Sequence, residues 1–158
     1  MLTAISLSQL DPGLAQSLAF RAWVVSLVLL FFKMFVNSGV QAIVRLRTGT
    51  FTRPDDARVF GRGAEAAARE HPIVERANGC WRNDLENIPA YLLISLAFVL
   101  AGGAGRQAVV YFGLYTLIRC VHTLVYLLGL QPHRFLVFTA GNIVLFALVA
   151  NLLLVVFA

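Results

Sequence analysis

From Ala22 to Val44 the chain reads AWVVSLVLLFFKMFVNSGVQAIV, 23 residues interrupted only by Ser26, Lys33, Asn37, Ser38, Gly39 and Gln41. As a helix rising about 1.5 Å per residue the stretch is roughly 35 Å long, enough to cross a hydrocarbon core about 30 Å thick. A soluble domain needs a polar surface around such a segment, and the rest of the chain does not supply one. Of the 158 residues, 59% are hydrophobic and 13% charged, with a mean hydropathy of +0.76. Soluble domains run at roughly 45–50% apolar and 25% charged. The missing solvent is therefore the bilayer. The same composition excludes a disordered chain, and two cysteines, Cys80 and Cys120, are too few for a disulfide framework.

Working outward, Ile88 to Ala101 is apolar but short for a span. It extends backward as one helix through Trp81-Arg82-Asn83-Asp84-Leu85-Glu86-Asn87, beginning in water and ending in lipid. Gly102-Gly103-Ala104-Gly105 then breaks the chain, a third span runs from about Arg106 to Gly129, and a fourth from about Arg134 to Phe157. The reading is all-α: a single transmembrane domain over residues 1–158, an integral membrane four-helix bundle with spans at about 20–46, 76–101, 106–129 and 134–157. The connection at about 47–75 is the one extended polar stretch, and Pro54 followed by Asp55 and Asp56 predicts a short helix within it.

The formal net charge is +5, and Lys33 is the one lysine among 13 basic residues. A basic chain invites a nucleic-acid reading. Here the arginines are interspersed with acids and form no aromatic-rich basic face, so no nucleic-acid partner is expected. Arg45, Arg47, Arg53, Arg58, Arg62, Arg69, Arg76 and Arg82 lie in or beside the long connection, against Arg106 alone in the linker on the opposite side. The positive-inside rule then places the connection in the cytoplasm and both termini on the other side. Residues 1–18 lack the basic start and small-residue cleavage site of a signal peptide, and the short outer termini suit a bacterial inner membrane or an organelle membrane equally.

Ionisable residues at membrane depth are costly unless they face protein or water. In the third span Tyr111, Tyr115, Arg119, His122 and Tyr126 fall within about 80° of one another at ~100° per residue, so they share one face. Such a stripe serves either helix–helix contact or a site. Arg82 and Glu86, four residues apart with Asn83 between them, form either a surface ion pair or a polar shelf at the interface. Arg45 and Arg134 are expected at the same level. This set of guanidiniums, amide, carboxylate, imidazole and phenols suits a small ligand carrying carboxylates and an amine, or an anionic lipid head group. No metal site is expected: His71, His122 and His133 lie in different segments, and neither a CxxC pair nor HExxH occurs. Lys33, in mid-span, reads as snorkelling or paired with a residue that spacing alone does not identify.

Four collinear stretches carry a resemblance. They are Lys33-Met34-Phe35 with Val44-Arg45-Leu46-Arg47; Phe51 to Ala57; Val74-Glu75-Arg76 leading to Arg82-Asn83-Asp84-Leu85-Glu86-Asn87-Ile88; and Arg119 to Tyr126 with Pro132-His133-Arg134. Together they resemble the MAPEG family, the membrane-associated proteins of eicosanoid and glutathione metabolism. The resemblance implies a homotrimer in membrane lipid, with glutathione as co-substrate between neighbouring subunits and a lipophilic small molecule arriving from the bilayer. It assigns Arg45, Arg82, Asn83, Glu86, His122, Tyr126 and Arg134 to the glutathione site, with Arg134 beside the thiolate and Asp56 as an assisting acid. The implied activity is glutathione transfer to lipophilic electrophiles, accompanied by reduction of lipid hydroperoxides. Glutathione-dependent isomerisation of the prostaglandin E synthase kind and a non-enzymatic lipid-binding module are the alternatives. The chain departs from the family pattern at Gly79, where relatives carry a basic residue, and at Trp81, where they carry histidine. Phe135 and Phe138 stand where the prostaglandin-synthase branch has hydroxyl side chains, which disfavours isomerisation.

Overall fold

A computed structural model describes residues 12–158; the first part of the stretch examined for a signal peptide, residues 1–11, lies outside it. Six helices and no strand occur among the described residues: α1 (Pro12–Gln16), α2 (Leu18–Thr48), α3 (Pro54–Phe60), α4 (Pro72–Leu100), α5 (Gly105–Leu127) and α6 (His133–Phe157). Local chemistry sets their ends. Ser17 caps α2, its Oγ accepting the Phe20 N–H at 3.2 Å, and Gly49 closes the helix in the left-handed region at φ 68°. Pro54 opens α3 with Asp55 and Asp56 in the first turn, and Pro72 opens α4 behind a His71 cap. Gly102, at φ 80°, turns the chain between α4 and α5.

By length and composition, α2, α5 and α6 are able to cross a membrane. The fourth apolar stretch lies in α4, whose 29 residues also hold Glu75, Arg76, Arg82, Asp84 and Glu86 in the N-terminal half, so α4 does not qualify on hydropathy. The physical reason is visible in its packing. Ala77, Cys80, Asp84, Ile88, Tyr91, Ser95 and Phe98 are buried at intervals of three or four residues, so α4 turns one continuous stripe into the bundle and hides polar groups there.

α2 packs on both α4 and α5, and α6 packs on α5 and α4. Their interior is layered. Ala19, Phe98, Ala108, Phe112 and Leu148 form an apolar end. Next comes a hydroxyl layer in which Ser26 Oγ lies 2.7 Å from Tyr91 Oη and 2.6 Å from Thr116 Oγ1, with Tyr91 stacked on Tyr115 at 3.9 Å. Below that lies a charged layer. Lys33 Nζ donates to Asp84 Oδ2, and Arg119 Nη2 donates to Asp84 Oδ1 at 2.8 Å, with all three side chains buried. Lys33 is thus paired across helices rather than snorkelling. On the outside Phe31, Phe35, Leu93, Phe146 and Phe157 are exposed, an apolar surface suited to lipid.

The long connection is folded back on α2. Ala67 N–H donates to Phe51 O at 2.7 Å, and Glu70 receives Arg45 Nε at 3.2 Å on each carboxylate oxygen, Arg45 Nη2 at 2.9 Å and Thr52 Oγ1 at 3.0 Å. Arg45's hydrogen bonds hold the Glu70 carboxyl below its ordinary 4.5, against the opposing effect of its burial. A carboxylate depressed in the folded state stabilises it above the unfolded value, and loses that contribution as pH falls through the folded one. Amide protection of residues 51–70, corrected for intrinsic exchange, should therefore hold from neutral pH down to about 4.5 and then decline. In Glu70→Gln it should be low throughout.

Candidate functional site

The third-span stripe divides by depth. Tyr111 Oη accepts from Asn151 Nδ2 of α6 at 3.2 Å, Tyr115 Oη donates to Asn87 O of α4 at 3.3 Å, and Arg119 enters the charged layer. Those three side chains hold helices together. His122 and Tyr126, further along the same face, instead line a cavity of about 270 Å³ with Asn83, Gln131, Arg134, Phe135 and Phe138. One helical face therefore performs both of the roles open to it.

Four elements bring this cavity together. α4 supplies Asn83, α5 supplies His122 and Tyr126, the α5–α6 turn supplies Gln131, and the first turns of α6 supply Arg134, Phe135 and Phe138. The Arg134 guanidinium lies 4.7 Å from the centroid of the Tyr126 ring, within range of a cation–π contact. With its amide oxygen turned to Arg134, Gln131 accepts from Nε at 2.9 Å and Nη2 at 2.6 Å. Tyr126 packs edge-on against His122 at 5.5 Å, and the buried His122 Nδ1 has no hydrogen-bond partner. The fixed guanidinium suits a polar, anionic ligand better than a hydrocarbon.

Gly79 explains how Tyr126 comes so close to α4. A Cβ at this position stands 2.5 Å from Tyr126 Oη, so the glycine makes room for the hydroxyl. In Gly79→Ala the tyrosine tip should give way, moving the ring on which Arg134 lies. The expected result is a melting shift of only a few degrees, consistent with about 1 kcal/mol or less, alongside shifted ring resonances of Tyr126.

The other site residues read from the sequence lie elsewhere on the chain. Arg45 and Asp56 line a second cavity of about 280 Å³ with Phe51, Thr52, Arg53 and Glu70. No residue lines both cavities. Arg82 and Glu86 are exposed, and no ion pair joins them. The sequence reading missed Gln131, and it did not connect Asp84 with Lys33. A lysine in mid-span demands a counter-charge at its own depth, a signal that calls for an acid without saying which one. The fold also gathers Cys80, Asp84 and His122 so that their ligand atoms lie within 4.8 Å of one another. Both Asp84 oxygens there face cations, Lys33 and Arg119. The cluster is electrostatically poor for a metal ion and belongs to the core network.

A profile of the MAPEG family matches residues 18–154, nearly the whole of the described chain. The chain belongs to the MAPEG family. Microsomal glutathione S-transferase 1 of Homo sapiens is 36% identical over 125 residues, 77% of this chain and 81% of the relative. The Rattus norvegicus protein of the same name is 38% identical over 112 residues, 69% and 72% of the two chains. Prostaglandin E synthase of Bos taurus is 34% identical over 123 residues, 77% and 79% of the two chains. Among its described residues this MAPEG chain is all-helical, with helices suited to a membrane, and Asn83, His122, Tyr126, Arg134, Phe135 and Phe138 gather where α4, α5 and α6 meet.

Proposed function

We propose that this protein is an integral membrane glutathione transferase that ionises glutathione and directs the thiolate onto lipophilic electrophiles. The observation that carries the reading is the Arg134 centre: a guanidinium held by Gln131 and Tyr126, beside Asn83 and His122, in a cavity walled by Phe135 and Phe138. Glutathione, when bound, supplies the nucleophilic sulfur. The protein's part is to hold the tripeptide's anionic ends and to place positive charge where the thiol loses its proton. A free thiol has a pKa of about 8.5, and a neighbouring guanidinium favours the anion. Similarity to microsomal glutathione S-transferase 1 over most of both chains supports the assignment. Prostaglandin E synthases are also relatives, but the side chains beside Arg134 are phenylalanines and offer no hydroxyl at those two positions.

The working form is read as a homotrimer. Each protomer carries two separate half-sites, one around Arg134 and one around Arg45 and Asp56, with Arg82 and Glu86 exposed on α4. A neighbour presenting Arg45 and Asp56 to the Arg134 cavity completes a set of residues that one chain leaves divided. In this arrangement α4 crosses the membrane as the fourth span, shielded by its neighbours. The arginine-rich connection is cytoplasmic, and both termini lie on the opposite side of a bacterial inner or organelle membrane. Electrophiles and lipid hydroperoxides reach the site laterally from the bilayer.

The test is glutathione-dependent turnover of a chlorinated nitroaromatic electrophile by purified protein, with glutathione affinity measured in parallel. Turnover above the detergent blank together with saturable glutathione binding is the expected result. Absence of both overturns the reading and favours a lipid-binding module.

A further inference from the structure

The Asn83 side chain stands between the charged layer and the cavity. Arg119 Nη2 donates to Asn83 Oδ1 at 2.8 Å, and also to Asp84 Oδ1 at 2.8 Å and to the Asn83 backbone carbonyl at 3.3 Å. Arg119 is 2% exposed and Asp84 is fully buried, with Lys33 on the other carboxylate oxygen. The guanidinium is therefore held from behind. Arginine is a donor only, so the group turned toward it has to be the amide oxygen. The remaining half of the amide, the Nδ2 group, forms no hydrogen bond among the described residues, while Asn83 lines the cavity.

We infer that Arg119 is a positioning residue whose buried ion triad locks the Asn83 amide, so that the site presents an N–H donor and selects a ligand acceptor there. Resting on the glutathione reading above, the acceptor is a carboxylate or peptide carbonyl oxygen of the tripeptide. An unrestrained asparagine is able to offer either end of its amide and tolerates donors and acceptors alike. With its oxygen committed to Arg119 it rejects a ligand donor at that point, because a donor there faces another donor in a partly desolvated wall. The triad thereby links a feature of the core to the chemical selectivity of the cavity, without Arg119 touching the ligand.

Asn83→Asp separates this role from a structural one. The aspartate keeps an oxygen for Arg119, so the fold is retained, but it presents a second oxygen to the cavity. Glutathione affinity should fall about tenfold or more, at an unchanged or raised melting temperature. In Arg119→Lys the shorter side chain stops short of the position from which Nη2 reaches both Asn83 and Asp84, and glutathione binding should weaken in the wild-type background. Placed in Asn83→Ala, it should change affinity by less than about twofold, because the residue it acts through is gone. Wild-type affinity in Asn83→Asp overturns the inference, as does an equal Arg119→Lys effect with and without Asn83. If wild-type protein binds no glutathione, the functional reading falls, and the positioning is decided separately by the Asn83 side-chain amide resonance in asparagine-labelled protein. Assigned by its loss in Asn83→Ala, that resonance should shift in Arg119→Lys; an unmoved resonance overturns the inference whatever the ligand. Should Arg119→Lys fail to fold, the Asn83→Asp affinity alone decides.

Discussion

Asp84→Ala should abolish recovery of folded protein. The substitution removes the one carboxylate that receives both Lys33 and Arg119, leaving two buried cations facing each other in the bundle interior. Breaking a buried ion pair by deleting one partner costs about 3–5 kcal/mol, and here two partners are stranded. Total stability of a domain is about 5–15 kcal/mol, so the loss takes up much of it. The check is the yield of monodisperse protein in detergent and its melting temperature. Asp84→Asn should fall between wild type and Asp84→Ala, since an amide oxygen accepts from only one cation and carries no charge. Replacing the whole triad, with Lys33→Met, Asp84→Leu and Arg119→Met together, should recover much of the stability, because removing all the charges also removes their desolvation cost. Such a protein should fold yet bind glutathione poorly, having lost the group that orients Asn83. A triple variant that fails to fold as Asp84→Ala does shows instead that the network fixes helix register.

Arg134→Ala carries the second large effect. The guanidinium is held by Gln131 and lies on Tyr126, so its charge is fixed at the place where the proposed function has the thiolate form. Loss of one preorganised group stabilising a developing anion lowers catalysis by about 10²–10³. The value of kcat/KM toward a reactive electrophile should drop on that scale, and the ultraviolet thiolate absorbance of bound glutathione at neutral pH should disappear. The pH dependence supplies the sign. On the proposed function the thiol bound to wild type ionises below its free value of about 8.5, so the rate should level off at lower pH; in Arg134→Ala it should keep rising toward and past that value. Arg134→Lys should recover part of the activity, since lysine restores a point charge but not the planar contacts with Gln131 and Tyr126. Unchanged thiolate absorbance in Arg134→Ala moves the activating charge elsewhere, with Arg45 the next residue to test.

Much of this was legible in the sequence for local reasons. Ser17, Gly49, Pro54, Pro72 and Gly102 mark helix ends through short-range backbone chemistry, and the apolar stretches mark where lipid is the solvent. The face shared by Tyr111, Tyr115, Arg119, His122 and Tyr126 was legible as well, because helical periodicity alone sets it. Its division into three packing residues and two cavity residues was not, since that depends on which neighbour stands at each depth. For the same reason spacing did not show that Arg45 and Asp56, assigned by the resemblance to a site between subunits, line a cavity separate from that of Arg134 within one chain. The Arg82–Glu86 spacing allowed an ion pair, but both side chains turn outward and do not meet.

Composition and hydrophobic periodicity by themselves determined that the chain is helical and lives in a membrane, because solvent partitioning acts on each segment before any tertiary contact exists. Only the tertiary structure decided which polar groups meet. Lys33 and Asp84 are separated by 51 positions and Arg119 and Asp84 by 35, and no local rule relates residues so far apart. They are joined because α2, α4 and α5 carry them to the same depth, where low dielectric makes every unpaired charge costly and every satisfied one specific.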